Sequence, residues 1–232
     1  MIATYPIASI AELIGEPSRA QILVALLDGR ALPAGALARI AGVSAQSASA
    51  HLSQLANGGL LKVERDGRHR YYRIAGREVA HAVEALGAIS TVQRPGGLLQ
   101  DRQRNALYLA RSCYDHLAGR IAVEMAEALE SLKVISPCGE REYRIGSRGN
   151  EWFANIGVEI DGLRRSRRSF ARECLDWTER KSHIAGALGA AIFSRFVALR
   201  WIARREKTRA LRITQLGSRE IRARLGITAE AG

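Results

Sequence analysis

Along the first ninety residues the apolar positions recur in short blocks at helical spacing, each closed by a turn residue. Ile22, Leu23, Leu26 and Leu27 form an i, i+1, i+4, i+5 stripe, which predicts a buried helix face over 18–28, between Pro17 and Gly29. A helix is expected before it at 8–15. A short third helix at 33–41 carries Ala34, Leu37, Ala38 and Ile40, and a fourth at 45–57 aligns Ala48, Leu52 and Leu55 on one face. Between the last two stands Ala41-Gly42-Val43-Ser44, in which Gly42 permits a left-handed turn, Val43 plugs the core and Ser44 caps the next helix. That order predicts a helix-turn-helix. The period then shortens: strands are expected at 60–65 and 68–74 around Asp66-Gly67, a strong local signal for a hairpin, with a closing helix at 76–91. Arg94-Pro95-Gly96-Gly97 breaks the pattern and marks a linker at 94–98.

The fourth helix has an unusual outer face. Gln46, Ser47, Ser49, Ala50, His51, Ser53 and Gln54 are small or polar, with no Glu or Lys among them. A solvated face ordinarily carries those charges. A helix that enters a major groove needs small side chains and hydrogen-bonding groups for base edges. The hairpin tip reads Arg65-Asp66-Gly67-Arg68-His69-Arg70, a cluster suited to phosphate contact or minor-groove insertion. The expected DNA-binding set is therefore Ser44, Gln46, Ser47, Ser49, His51, Gln54, Arg65, Arg68, His69 and Arg70.

Charge strengthens this picture. The 232 residues carry 35 Lys+Arg against 23 Asp+Glu, a net +12 that favours a polyanionic partner, nucleic acid first. Residues 1–97 hold 10 basic and 7 acidic side chains, so most of the excess falls in the second half. Three cysteines make no disulfide framework and suit a reducing compartment. The N-terminal residues lack the pattern of a signal peptide. The most apolar stretch, Ile184 to Ala198, is shorter than a membrane span and is broken by Ser194 and Arg195. A cytoplasmic protein without a membrane partner is expected.

The run from Pro17 to Gly29, Ser47 to Leu55, Gly59-Leu60-Leu61, and Asp66 to Tyr72 resemble the ArsR/SmtB-type winged helix-turn-helix repressors, in the right order and spacing over about residues 8–90. The resemblance implies a homodimer built from the first and last helices. It also implies recognition helices in successive major grooves, and repression relieved by an inducer, often a metal ion. The family's metal sites do not carry over. Ala36 to Ala41 lacks the Cys-x-Cys of the arsenic-type site, and Leu52 to Gly58 lacks the recognition-helix thiolates of the cadmium and lead sensors. In place of the Asp/His pairs of the zinc site, the last helix offers Glu78, His81 and Glu84, a pattern that reads as a solvated face.

The second half matches itself. Gly119 to Ile135 and Gly186 to Ile202 align without a gap and share a Leu-basic-apolar-Ile ending. Each is preceded by His-x-Ala (His116, His183) and, before that, by Cys-x-Asp (Cys113-Tyr114-Asp115, Cys174-Leu175-Asp176). Each is followed by a short strand and Gly (Gly149, Gly217). Two repeats, about 106–160 and 169–228, are expected, each reading strand, helix, loop, strand, short helix. Cys113, Asp115 and His116 with Cys174, Asp176 and His183 would make a symmetric donor set. Thiolate plus imidazole suits a soft divalent metal ion, the one cofactor these residues suggest. Against this, Asp115 is placed to cap the following helix, free Cys is commonly buried for packing, and six extra residues separate Asp176 from His183. Cys138 has no counterpart. Trp152, Phe170, Trp177 and Trp201 lie near Arg164 to Arg168 and Arg200 to Arg212, which would also suit an organic anion, although such aromatics are usually core.

The expected fold is mainly α with short β-hairpins. It comprises a winged helix-turn-helix domain over 1–93, a linker at 94–98 and a duplicated α+β effector-sensing domain over 99–232. The expected function is a homodimeric, non-enzymatic DNA-binding repressor released from its double-stranded operator by a metal or small molecule. The alternatives are a second half that serves only dimerisation or architecture, and an enzyme with a Cys nucleophile and a His base. A low-pKa, accessible thiol distinguishes the last of these.

Overall fold

A computed structural model describes residues 7–67, 69–89, 105–205 and 208–229. The chain divides into two compact units, Met1–Val83 and Glu84–Gly232. The linker expected at 94–98 and Arg68 lie outside the described residues.

In the first unit the order is α1 (Ile7–Gly15), α2 (Pro17–Ala25), β1 (Leu32–Pro33), α3 (Ala34–Ala41), α4 (Ala45–Asn57), β2 (Leu61–Asp66), β3 (His69–Ile74) and the first half of α5 (Arg77–Ile89). α2 starts where Glu16 accepts the Ser18 and Arg19 N–H groups at 3.0 and 2.7 Å. It ends three residues before the expected 28, because the Leu26 N–H is shared between the Ile22 and Leu23 carbonyls and tightens the last turn. Gly42 terminates α3 with φ 65°, and the Ser44 hydroxyl caps α4 by accepting the Ser47 N–H at 3.1 Å. Ile22, Leu23, Leu37, Ala48, Leu52 and Leu55 form the buried centre of this unit. β2 and β3 pair through Asp66↔His69 around Gly67, and two-residue β1 completes a sheet in the order β1-β3-β2. The composition gave no signal for β1, since two residues are too few to show a period.

The second unit follows a helical stretch at 105–109 with a hairpin, a helix, a hairpin and a short helix: β4 (Arg111–Cys113), β5 (His116–Ala118), α6 (Arg120–Ser131), β6 (Ile135–Cys138), β7 (Glu142–Ile145) and α7 (Gly149–Asn155). After α8 (Ile160–Arg164), the same series returns: β8 (Arg172–Leu175), β9 (Ser182–Ala185), α9 (Gly186–Ala198), β10 (Ile202–Arg204), β11 (Leu211–Ile213) and α10 (Gln215–Leu225). Each series opens on a full hairpin where a single strand was expected, because three- and four-residue strands are too short to show alternation.

The hairpins pair across the two series. β6-β7-β8-β9 form one sheet, joined at Glu142↔Arg172, and β4 meets the β10–β11 hairpin at the Arg111↔Ala210 bridge. Ile121, Met125 and Leu129 of α6 share one core with Leu188, Ile192 and Phe196 of α9. Gly119 and Gly186, before these helices, have φ of 89° and 82°. A Cβ there would lie 2.8 Å from the Tyr108 carbonyl oxygen and 2.9 Å from the Phe170 one, so the chain passes too closely for any other residue.

Candidate metal centre and nucleic-acid interface

In the first unit, α4 presents the face expected for a groove. Gln46, Ser47, Ser49, Ser53 and Gln54 are exposed. The arrangement divides the expected set. Gln46 and Ser49 are exposed, with no described contact drawing them back. Ser44 and Ser47 are hydrogen-bonded to each other through their hydroxyls at 2.9 Å, the Gln54 side chain accepts from Arg19 at 2.7 Å, and His51 lies 3.6 Å from the Glu16 carboxylate. These four serve the helix ends and the α2–α4 packing as well as any ligand. On the wing, Arg65, His69 and Arg70 are exposed around Gly67.

In the second unit, the paired cysteines and histidines come together. Cys113 stands opposite His116 across β4–β5, and Cys174 stands opposite His183 across β8–β9. The first hairpin closes in two residues, with Tyr114 at φ 57° and Asp115 beside it, so Asp115 occupies a turn and not the expected helix cap. The second closes through 176–181, and the six extra residues add four to the loop and one further strand pair, Leu175↔Ser182. Register therefore places each Cys–His pair side by side on its hairpin, whatever the loop length. Two Sγ atoms and two imidazole nitrogens, all from buried residues, lie within 4.8 Å of one another, and the His116 and His183 Nε2 atoms are 3.1 Å apart. Zn–S bonds of ~2.3 Å and Zn–N bonds of ~2.05 Å imply tetrahedral edges of roughly 3.3–3.8 Å, so the widest of these separations would close by about 1–1.5 Å while the imidazole pair opens slightly.

Asp115 and Asp176 stand behind the imidazoles. Asp115 lies 3.2 Å from His116 Nδ1 and is paired with Arg168 at 2.8 Å. Asp176 lies 3.6 Å from His183 Nδ1. The carboxylate hydrogen-bonded to His116 Nδ1 favours a proton there and leaves Nε2 to face the other donors, as in many histidine metal sites; His183 Nδ1 makes no such hydrogen bond. Asp176 is itself held from several sides. Arg111 donates at 2.9 Å, the Gly119 N–H at 2.7 Å, and the Thr178 hydroxyl and N–H at 2.6 and 2.9 Å. Burial would raise its carboxyl, but Arg111 and these donors outweigh that and hold it well below the ordinary carboxylate range. Arg111, wholly buried, stacks its guanidinium 4.7 Å from the Trp177 ring.

The Cys113 thiol is pushed up to about 12, first by its hydrogen bond with Cys174 and then by burial. Burial would lower His116, yet Cys113 and Asp115 together raise it to about 9. A buried, protonated thiol is a poor nucleophile, so Cys113 lacks the accessibility and low pKa that a catalytic cysteine requires. The same four groups, once deprotonated, are two thiolates and two neutral imidazoles, the donors of a closed Cys2His2 site. Cys138 is outside the group. Trp201 is core, and Trp152 packs edge-on against Phe153.

Sequence reasoning missed Arg111, Thr178 and Arg209. A signal existed for the first: each series opens on Arg-x-Cys, Arg111-Ser112-Cys113 and Arg172-Glu173-Cys174. It also placed Glu84 on a solvated face. Glu84 is 5% exposed, buried by its ion pair with Arg209 of the same unit at 2.5 Å.

A capped helix-turn-helix with a charged β-wing is the architecture of a DNA-binding transcriptional regulator. Known proteins agree with this. A helix-turn-helix domain model matches residues 14–64. The chain is 44% identical over 211 residues to an uncharacterized HTH-type transcriptional regulator, YdfF, of Bacillus subtilis (strain 168), covering 91% of this chain and 93% of that one. The chain belongs to the ArsR-type winged helix-turn-helix transcriptional regulators. Among solved structures it is similar to the homodimeric winged helix-turn-helix DNA-binding domain Mb0332 of Mycobacterium bovis, at 31% identity and TM-score 0.33 over 37% of this chain and 86% of that one. It is also similar to the cadmium metal-sensor CMTR of Mycobacterium tuberculosis, at 31% identity and TM-score 0.29 over 39% of this chain and 97% of that one. Among the described residues no helix is long and apolar enough to cross a membrane.

Proposed function

We propose that this regulator is a homodimeric repressor whose affinity for its operator is set by a soft divalent metal ion held in the second unit by Cys113, His116, Cys174 and His183. The observation that carries the reading is the convergence of four buried N/S donors from two hairpins, with a carboxylate near each Nδ1. Asp115 and Asp176 act as orienting groups. Gln46 and Ser49 read base edges, supported by Ser44, Ser47, His51 and Gln54, while Arg65, Arg68, His69 and Arg70 hold phosphate. Self-association through the first and last helices is supported by α1, an apolar helix with no buried residue, and by exposed Leu86 and Ile89 on α5.

We also infer that residues 106–160 and 169–228 are copies of one duplicated module. The support lies in matched backbone detail. Lys133 and Arg200, at the same step after their helices, have φ of 58° and 57°. A Cβ on Gly149 or Gly217 would strike the carbonyl oxygen of Val134 or Trp201. Each copy lends its first hairpin to the other, as symmetric subunits do.

The test pairs native mass spectrometry in zinc or cadmium with anisotropy on a duplex selected from a random pool. One ion per chain and at least a ~10-fold change in DNA affinity are expected, with the change lost in a Cys113→Ser, Cys174→Ser double variant that still binds DNA. Absence of ion binding overturns the reading. A purely architectural ion, favoured by the closed donor shell, would bind without changing DNA affinity.

A further inference from the structure

α5 is one unbroken helix, yet its second half carries two residues that a surface helix would not choose. Glu84 is an acid buried with Arg209, and Gly87 is a glycine in mid-helix. Three residues apart, they share a face of the helix. Both have partners beside the Cys/His centre. Arg209 holds β4: its carbonyl accepts the Ser112 N–H at 3.0 Å, its guanidinium reaches the Ser112 carbonyl at 3.5 Å, and the next residues continue the pairing through Leu211 N–H to Ala110. Ser112 is the neighbour of Cys113. On the other hairpin, Trp177 follows Asp176 and packs where Gly87 lacks a side chain, its Cβ 3.8 Å from the place a Gly87 Cβ would take. Trp177 also stacks on Arg111, whose guanidinium donates to Asp176, to the Thr178 hydroxyl and to the Leu107 carbonyl. One face of α5 thus touches both Cys–His hairpins, the first through Arg209 and Ser112, the second through Trp177.

We propose that residues 84–89 of α5 are the element that reads occupancy of the Cys113–His116–Cys174–His183 centre, with the Glu84–Arg209 pair and the Gly87–Trp177 contact as its two points of attachment. This rests on the metal-responsive reading above. Donors up to 4.8 Å apart must close to roughly 3.3–3.8 Å around an ion, and hydrogen bonds and packed rings do not stretch to absorb that change. Ser112 and Trp177 move with their hairpins, and Glu84 and Gly87 follow. The same helix runs without a break back through Val83 and Ala80 to Arg77.

Hydrogen exchange on the unaltered chain, with and without added cadmium, tests this directly. Amides of 84–89 should exchange several-fold more slowly when the ion is bound, and unchanged exchange there overturns the proposal. Glu84→Gln and Arg209→Lys provide the second arm. Each should keep ion affinity, measured by chelator competition, and ion-free DNA affinity within about threefold, while the ion-driven change in DNA affinity falls from ~10-fold or more to under about threefold. A full response in both variants overturns the proposal. If the unaltered chain binds no cadmium, the metal-responsive reading fails and takes this inference with it. If it binds cadmium and responds, but α5 and the two variants do not, this inference alone fails.

Discussion

Replacing Arg111 by Leu tests what holds the centre in place. Arg111 and Asp176 are both wholly buried, and their nitrogen and oxygen stand 2.9 Å apart. Removing the cation leaves a carboxylate in the interior, a change that typically costs about 3–5 kcal/mol. Here Asp176 keeps the Gly119 N–H on one oxygen and the Thr178 groups on the other, so the loss belongs at the lower end, about 3 kcal/mol. The assay is urea unfolding followed by tryptophan fluorescence. Trp152, Trp177 and Trp201, the three tryptophans of the chain, all lie in the second unit, so the signal reports that unit alone. The pH dependence provides a sign. The Asp176 carboxyl is depressed in the folded protein, so its contribution is present above the unfolded value of about 4 and is lost as pH falls through the folded one. The difference between parent and variant should therefore be largest near neutrality and shrink as pH falls below about 4. A loss under about 1 kcal/mol at pH 7 would refute the claim that this pair anchors the hairpins.

Gln46→Ala or Ser49→Ala should cost about 1–3 kcal/mol on a selected duplex and less on random DNA, read by anisotropy; equal losses would show that α4 does not read bases. Arg65→Ala and Arg70→Ala should each lower the salt slope of DNA binding by about one. Below pH 9 both Cys113 and His116 hold protons that an ion must displace, so apparent zinc affinity should rise at least about a hundredfold per pH unit between roughly 6.5 and 8.5; a slope under tenfold would mean these groups are not ligands.

The helix-turn-helix was legible because its signals are local. Gly42, Ser44 and the Ala48/Leu52/Leu55 face each act within one or two turns, and Asp66-Gly67 marks the wing where the structure has it. The second half announced its cysteines and histidines through self-similarity, but not their convergence. That depends on strand register and on pairing between the two series, which no window of sequence contains. Asp115 could be read as a cap from its position before a helix because the two-residue turn at Tyr114 leaves no pattern. Glu84 looked solvated because its partner, Arg209, is distant in the chain.

The crossing of hairpins between the two series has a consequence for how the protein is made. β4 leaves the ribosome about a hundred residues before Ala210, the residue it bridges, and contacts so far apart in sequence form slowly. The first unit, whose contacts are local, is complete long before that. During synthesis the DNA-binding half is therefore folded while Cys113 still waits, unsheltered, for Cys174 and then for the final strands. On the metal-responsive reading proposed above, a nascent chain passes through an interval in which its helix-turn-helix is folded but the centre that would govern it is not yet assembled.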